Sequence, residues 1–186
     1  LHNPKKPVYG GTDGAISFQS VTFRHSHAAE RMVLSDINLE IRSGETGVLI
    51  GGTGSSKSSL IQLIPRLYDA TEGVVKVGGR DVREYDLETL RNQVAVVLQK
   101  NVLFSGTIKE NLRWGNKEAT DAQLIQACRI ACADEFIDTF PDGYDTHIEQ
   151  VGHNVSGGQK QHLCISPHTL QNPKMLFLDD TTSPVD

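Results

Sequence analysis

The chain has 186 residues, 38% hydrophobic and 22% charged, a composition that supports one globular domain of ordinary size and excludes two full-sized ones. Lys and Arg number 18 against 23 Asp and Glu, a net charge of −5; with no block of basic residues, a nucleic-acid-binding surface is disfavoured. The longest apolar stretches, such as Gly47–Ile50 and Met175–Leu178, fall far below the roughly 20 residues of a spanning helix.

Residue 1 is Leu and no leader pattern opens the chain, so it reads as a piece of something longer. Residues 1–14, with Pro4, Pro7, Gly10, Gly11 and Gly14, carry linker chemistry. Ile16, Phe18, Val21 and Phe23 predict a strand broken near Ser20, and Leu34, Ile37, Leu39 and Ile41 predict further half-buried strand segments. An antiparallel β layer is therefore expected ahead of the main core. Thr46 to Ile50 reads as a buried strand, a Gly/Ser loop follows, and Leu60, Ile61, Leu63, Ile64 and Leu67 give a helical face. Beyond lie a short strand at Val74–Val77, a Gly78-Gly79 turn and a strand at Val94–Leu98. Helices are expected over much of 107–135, with a turn at Pro141-Asp142-Gly143. The alternation of strands and helices makes the class α/β. Leu124, Cys128 and Cys132 share one helical face; Cys164 is the third cysteine. Core packing and metal or redox chemistry are the alternatives for Cys128 and Cys132, and no second ligand pair at zinc spacing favours the latter.

Three segments carry chemistry. Gly51-Gly52-Thr53-Gly54-Ser55-Ser56-Lys57-Ser58-Ser59 stands where a phosphate-binding loop would sit: backbone N–H groups face an anion, Lys57 adds a mobile positive charge, and Ser58 can ligate Mg2+. The spacing fits that pattern except at position 56, where Ser replaces Gly; a plain glycine-rich strand-to-helix turn is the alternative. Met175–Leu178 ends in Asp179 and Asp180, either Mg2+-positioning acids or the solvated end of a buried strand. Between them, Ser156-Gly157-Gly158-Gln159 starts a helix with Ser156 as N-cap and its amides bared by glycine.

In this order the three segments resemble the Walker A, Walker B and signature motifs of ABC transporter nucleotide-binding domains, and the resemblance covers nearly the whole chain. Gln99 matches the Q-loop glutamine, and Asn101–Ile108 resembles the exporter segment after it. Ser183-Pro184-Val185-Asp186 resembles the D-loop, and Tyr144–Gly152 the exporter X-loop, with Gln150 at the family's glutamate position and Glu149 beside it. His25 occupies the place of the aromatic residue that stacks on adenine; a surface histidine is the alternative.

The resemblance implies a P-loop NTPase core with an N-terminal antiparallel β layer and a helical insertion at about 100–165. Residues 1–14 would be a linker from a membrane domain, and 15–186 an ABC ATP-binding domain incomplete at its C-terminus. Its cofactors would be ATP and Mg2+, and its place the cytoplasmic face of the cell membrane. Its partners would be a transmembrane domain and a second ATP-binding domain packed head to tail. Gly51, Thr53, Gly54, Ser55, Ser56, Lys57, Ser58 and Ser59 would hold the nucleotide with His25, and Ser58, Gln99 and Asp179 the Mg2+. Ser156, Gly157, Gly158 and Gln159 would cap the partner's γ-phosphate, while Gln99, Lys57 and Asp180 serve catalysis. The family places Glu where Asp180 stands, and a carboxylate withdrawn by about 1 Å can slow hydrolysis about 100-fold. His162 replaces a family arginine, and Pro167 is expected to kink or end the signature helix between Cys164 and Pro167. A catalytically degenerate partner domain is the rival reading. A non-transport ABC ATPase is disfavoured by the lack of a coiled coil between Gln99 and Ser156.

Overall fold

Alternating Ile16 and Phe18 place one face of β1 (Ile16–Phe23) on a core, and β1 is a middle strand of a four-stranded sheet. The order is β2 (Leu34–Ile41), β1, β3 (Glu72–Val77), β4 (Arg80–Asp81), with every pair antiparallel. Phe18 lies opposite Leu39 and Val75, and Ile16 opposite Ile41 and Val77. The break expected near Ser20 is a β-bulge: the register shifts between Phe18 and Val21, and Ser20 has φ 46°. Gly73 faces it with φ 80°, and a Cβ there would run into the Ser20 carbonyl oxygen, so glycine is required. Gly78 and Gly79, at φ 56° and 74°, make the tight turn into β4, the left-handed pair that suits a two-residue hairpin. The turn stands where the sequence places it, and the two-residue strand after it is too short to show a period in the sequence.

The computed structural model describes residues 1–25, 32–52, 56–97, 102–149 and 154–178. They fall into two compact units, Leu1–Val94 and Ala95–Asp186. In the first, residues 1–14 form no helix, yet the expected linker is pinned in place. Val8 N–H donates to Glu84 O, and Asp86 N–H donates to Val8 O, each at 2.9 Å. The Asn3 amide donates to the Asp86 carboxylate at 2.6 Å and accepts from Leu87 N–H at 2.9 Å. Asp86 also caps α2 (Leu87–Asn92), accepting from Thr89 N–H.

Two expectations for this unit fail. Thr46–Ile50 is not a strand: among the described residues no strand bonds to it, and Val48 and Ile50 are 80% and 93% exposed. An apolar run becomes a buried strand only when neighbours satisfy its backbone and cover its faces. The helix after the loop, α1 (Lys57–Leu63), is shorter than its apolar pattern. Pro65 lacks the donor that would continue it, Arg66 turns to φ 52°, and Leu67 is left exposed.

β5 (Val94–Val97), which starts at the last residue of the first unit and runs into the second, pairs with β8 (Met175–Leu178). The helices of the second unit are α3 (Ile108–Leu112), α4 (Asp121–Ile130), α5 (Asp134–Ile137) and α6 (Gly157–Leu170). They enclose Leu103, Ile108, Leu112, Leu124, Cys128, Ile137, Ile148 and Leu163, all nearly inaccessible. Thr107 with Glu110 and Thr120 with Gln123 form reciprocal capping boxes that start α3 and α4. A two-stranded pair, β6 (Gly106–Thr107) with β7 (His147–Ile148), closes the cluster.

The predicted break at Pro167 does not occur: α6 runs through it to Leu170. Ser166, fully buried, donates its hydroxyl to His162 O at 2.9 Å, and Thr169 donates to Ser166 O at 2.7 Å. Hydroxyls on both sides of the proline thus bond helix carbonyls, and the packing of Leu163 and Ser166 outweighs a local cost of about 3 kcal/mol. The cysteine face is also shorter than predicted. α4 ends at Ile130, so Cys132 leaves the face and is exposed, whereas Cys128 is buried. Burial pushes the thiols of Cys128 and Cys164 up to about 11. Both stay protonated at neutral pH and act as apolar packing groups.

Candidate functional site

The predicted phosphate loop enters α1 through a residue in the left-handed region. Ser56 has φ 65° and ψ 17° and takes the N-cap position without a side-chain cap bond. This is the conformation a glycine adopts freely and a Cβ makes costly. The first helical bond is Leu60 N–H to Ser56 O at 3.1 Å. A left-handed residue between loop and helix turns successive N–H groups to one side, the backbone geometry of an anion nest. The Lys57 ammonium reaches back over the loop and donates to the carbonyls of Gly51 and Gly52, the latter at 3.1 Å. Its charge therefore sits at the loop. Ser58 is exposed in the first turn of α1 and Ser59 is partly covered. Thr53, Gly54 and Ser55 lie outside the described residues.

His25 follows β1 and is exposed. Its imidazole meets Phe23 at 4.9 Å between ring centroids and 77°, and Tyr68 at 5.3 Å and 81°. Tyr68 was missed by sequence reading, because it stands after the helix pattern in no motif.

In the second unit the predicted signature segment forms the start of α6. Ser156 accepts from Gln159 N–H at 3.2 Å, and the Gln159 side-chain oxygen accepts from Ser156 N–H at 2.9 Å, a closed capping box. Ser156, Gly157 and Gly158 are exposed, and a Cβ at either glycine would touch nothing within 4 Å. No internal crowding demands glycine at either position, so the bare backbone faces open space where a ligand or partner could approach. Gln99, Asp179 and Asp180, the predicted metal and catalytic positions, lie outside the described residues, as do Gln150–Gly152 and the D-loop segment 183–186. Among the described residues no cluster of His, Cys, Asp and Glu could hold a metal, and no helix is long and apolar enough to cross a membrane.

A cavity of about 180 Å³ in the second unit was also not foreseen. Over it Phe104 and Trp114 stack with centroids 4.5 Å apart and planes 18° from parallel, although they are 48% and 67% exposed. No Asp, Glu, Lys or Arg lines it, and burial lowers the pKa of His168, the one titratable base in its lining, which favours the neutral ring.

An α/β chain with an antiparallel layer and a loop-to-helix turn carrying Lys57 is consistent with a P-loop NTPase fold. The family model described as ABC transporter matches residues 34–183. The chain belongs to the ABC transporter family. It is 44% identical over 173 residues to the ATP-binding/permease protein YgaD of Bacillus subtilis, covering 93% of this chain and 30% of that one. It is 42% identical over 181 residues to the multidrug efflux ATP-binding/permease protein Rv0194 of Mycobacterium tuberculosis, covering 97% of this chain and 15% of that one. Among solved structures, a bacterial Atm1-family ABC exporter with ATP bound superposes with a TM-score of 0.86 at 30% identity. That alignment covers 100% of this chain and 32% of the exporter. The chain thus spans under a third of the length of each of these three proteins.

Proposed function

We propose that the chain is the ATP-binding domain of an exporter, working from the cytoplasmic face of the membrane through a head-to-tail pair with a second such domain. The observation that carries this reading is the turn at Ser56 and Lys57, a left-handed residue followed by an ammonium held over the loop carbonyls. Lys57 would neutralise the β and γ phosphates, with Gly51 and Thr53–Ser59 wrapping them and His25 under the base. Ser58, Gln99 and Asp179 offer hydroxyl, amide and carboxylate oxygens, a donor set that suits Mg2+. Bound Mg2+ would offset charge on the phosphates. Asp180 would polarise the attacking water with Gln99. Ser156, Gly157, Gly158 and Gln159 would cap the γ-phosphate of the partner's nucleotide, a role supported by two exposed glycines with no internal packing duty.

The uncharged cavity beneath Phe104 and Trp114 suits the permease part of a longer chain, since relatives of this chain are named as ATP-binding/permease proteins. Stacked aromatic rings left exposed mark a surface meant to be covered.

A second reading, a catalytically degenerate partner that binds nucleotide weakly, is favoured by Ser56 and Asp180. Hydrolysis distinguishes the two. In the longer protein, with its permease part and a competent second ATP-binding domain, Asp180→Glu is expected to raise this site's ATP turnover by about 10- to 100-fold. Affinity should scarcely change, because the gain is made in the transition state. Unchanged turnover at saturating ATP would show that Asp180 is not the bottleneck, would remove it as support for the degenerate reading, and would place the limit at another departure such as Ser56.

A further inference from the structure

The rings of Phe23, His25 and Tyr68 form a closed triangle, with centroid separations of 4.9, 5.3 and 5.6 Å. Only Phe23 is needed by the core: it is 2% exposed, whereas Tyr68 is 41% exposed and His25 lies at the surface. Two hydrogen bonds, one to a side-chain hydroxyl and one between backbones, fix the triangle. Arg24 N–H donates to the Thr71 hydroxyl at 3.1 Å, and Thr71 N–H donates to Thr22 O at 2.9 Å. These tie the end of β1 to the segment that carries Tyr68. That segment also continues directly from α1, with Leu67 N–H bonded to Gln62 O at 3.0 Å. The helix that begins at Lys57 therefore delivers Tyr68 to the side of His25.

An exposed imidazole with two free torsions makes a poor stacking surface, because a base must first immobilise it. Two rings set nearly perpendicular to it, at 77° and 81°, remove that freedom in advance. We infer that Tyr68 is a positioning residue for nucleobase binding, holding the His25 imidazole flat for a purine to stack on. The inference rests on the nucleotide-binding reading above and adds the residue that makes His25 competent in it. Stacking reads the face of the base and leaves the phosphates to the loop, so loss of Tyr68 should affect the two ends of the nucleotide unequally.

The test compares equilibrium binding of Mg2+-ATP and Mg2+-tripolyphosphate, which has phosphates and no base, to the parent chain and to Tyr68→Phe, Tyr68→Leu and Tyr68→Ala. Thermal melting serves as the check on folding. The Ala and Leu variants should bind ATP about 3- to 10-fold more weakly, with tripolyphosphate unchanged, while Phe keeps parental affinity for both. Leu retains apolar cover without a ring, so a merely structural role would leave it like the parent. ATP affinity unchanged in Ala and Leu would overturn the inference and leave the nucleotide reading intact. An equal loss of ATP and tripolyphosphate would also overturn it, placing the effect at the phosphate loop. A parent chain that binds neither probe would overturn the nucleotide reading, and this inference with it.

Discussion

Ser56 and Cys132 hold left-handed backbone at φ 65° and 54°, a region that costs an L-residue about 1 kcal/mol or more. They differ in how legible they were. Ser56 stands in a glycine slot of a recognisable loop, so its strained conformation could be expected from the motif. Cys132 gave no such signal, because the apolar spacing from Leu124 through Cys128 continues smoothly past the point where α4 ends. Cys132 closes the helix with Cys132 N–H on Arg129 O and Ala133 N–H on Cys128 O at 2.8 Å, an arrangement that normally recruits glycine. Cys132→Gly should therefore stabilise the protein by about 1 kcal/mol. Urea denaturation would detect this as a higher midpoint at unchanged slope; a lower midpoint would mean that the side chain makes compensating contacts.

Helix α6 shows why a local rule can mislead about an element. Proline chemistry argues for a break at 167, yet the helix continues because Ser166 and Thr169 bond its carbonyls and Leu163 anchors it in the core. The sequence names each of these residues, but the cost of Pro167 is local and its compensation is tertiary. The strand expected at Thr46–Ile50 fails for the opposite reason: its apolar pattern is present, and no strand among the described residues pairs with it. Shorter signals, the capping boxes at Thr107 and Thr120, stood in the sequence as Thr-x-x-Glu and Thr-x-x-Gln and went unread. One further contact sets the seat of α6. A Cβ on Gly115 would collide with the Pro167 carbonyl oxygen and come within 2.7 Å of its carbon. Backbone on both sides leaves little room to yield, so Gly115→Ala should destabilise the protein by about 2–3 kcal/mol. Calorimetry or urea titration would check this, and a stability within about 0.5 kcal/mol of the parent would mean that the helix shifts freely.

At the scale of the molecule, the predicted nucleotide machinery is divided along the chain. The phosphate loop and His25 belong to Leu1–Val94, and the signature segment to Ala95–Asp186. The family and the α/β class were legible because the motifs keep their order and spacing, a property of the sequence itself. The triangle around His25 and the cavity under Trp114 were not, because each joins residues whose proximity only the folded chain creates. Binding of ATP at the Ser56–Lys57 turn is the claim on which the functional account depends. Its direct measurement is the affinity of a labelled ATP analogue, with and without Mg2+, for the parent chain and for Ser56→Gly. The account predicts saturable binding strengthened by Mg2+ and tightened about 5-fold in the glycine variant, the equivalent of about 1 kcal/mol of relieved strain. Absence of saturable binding in both chains, or an affinity in Ser56→Gly no better than the parent's, would contradict it.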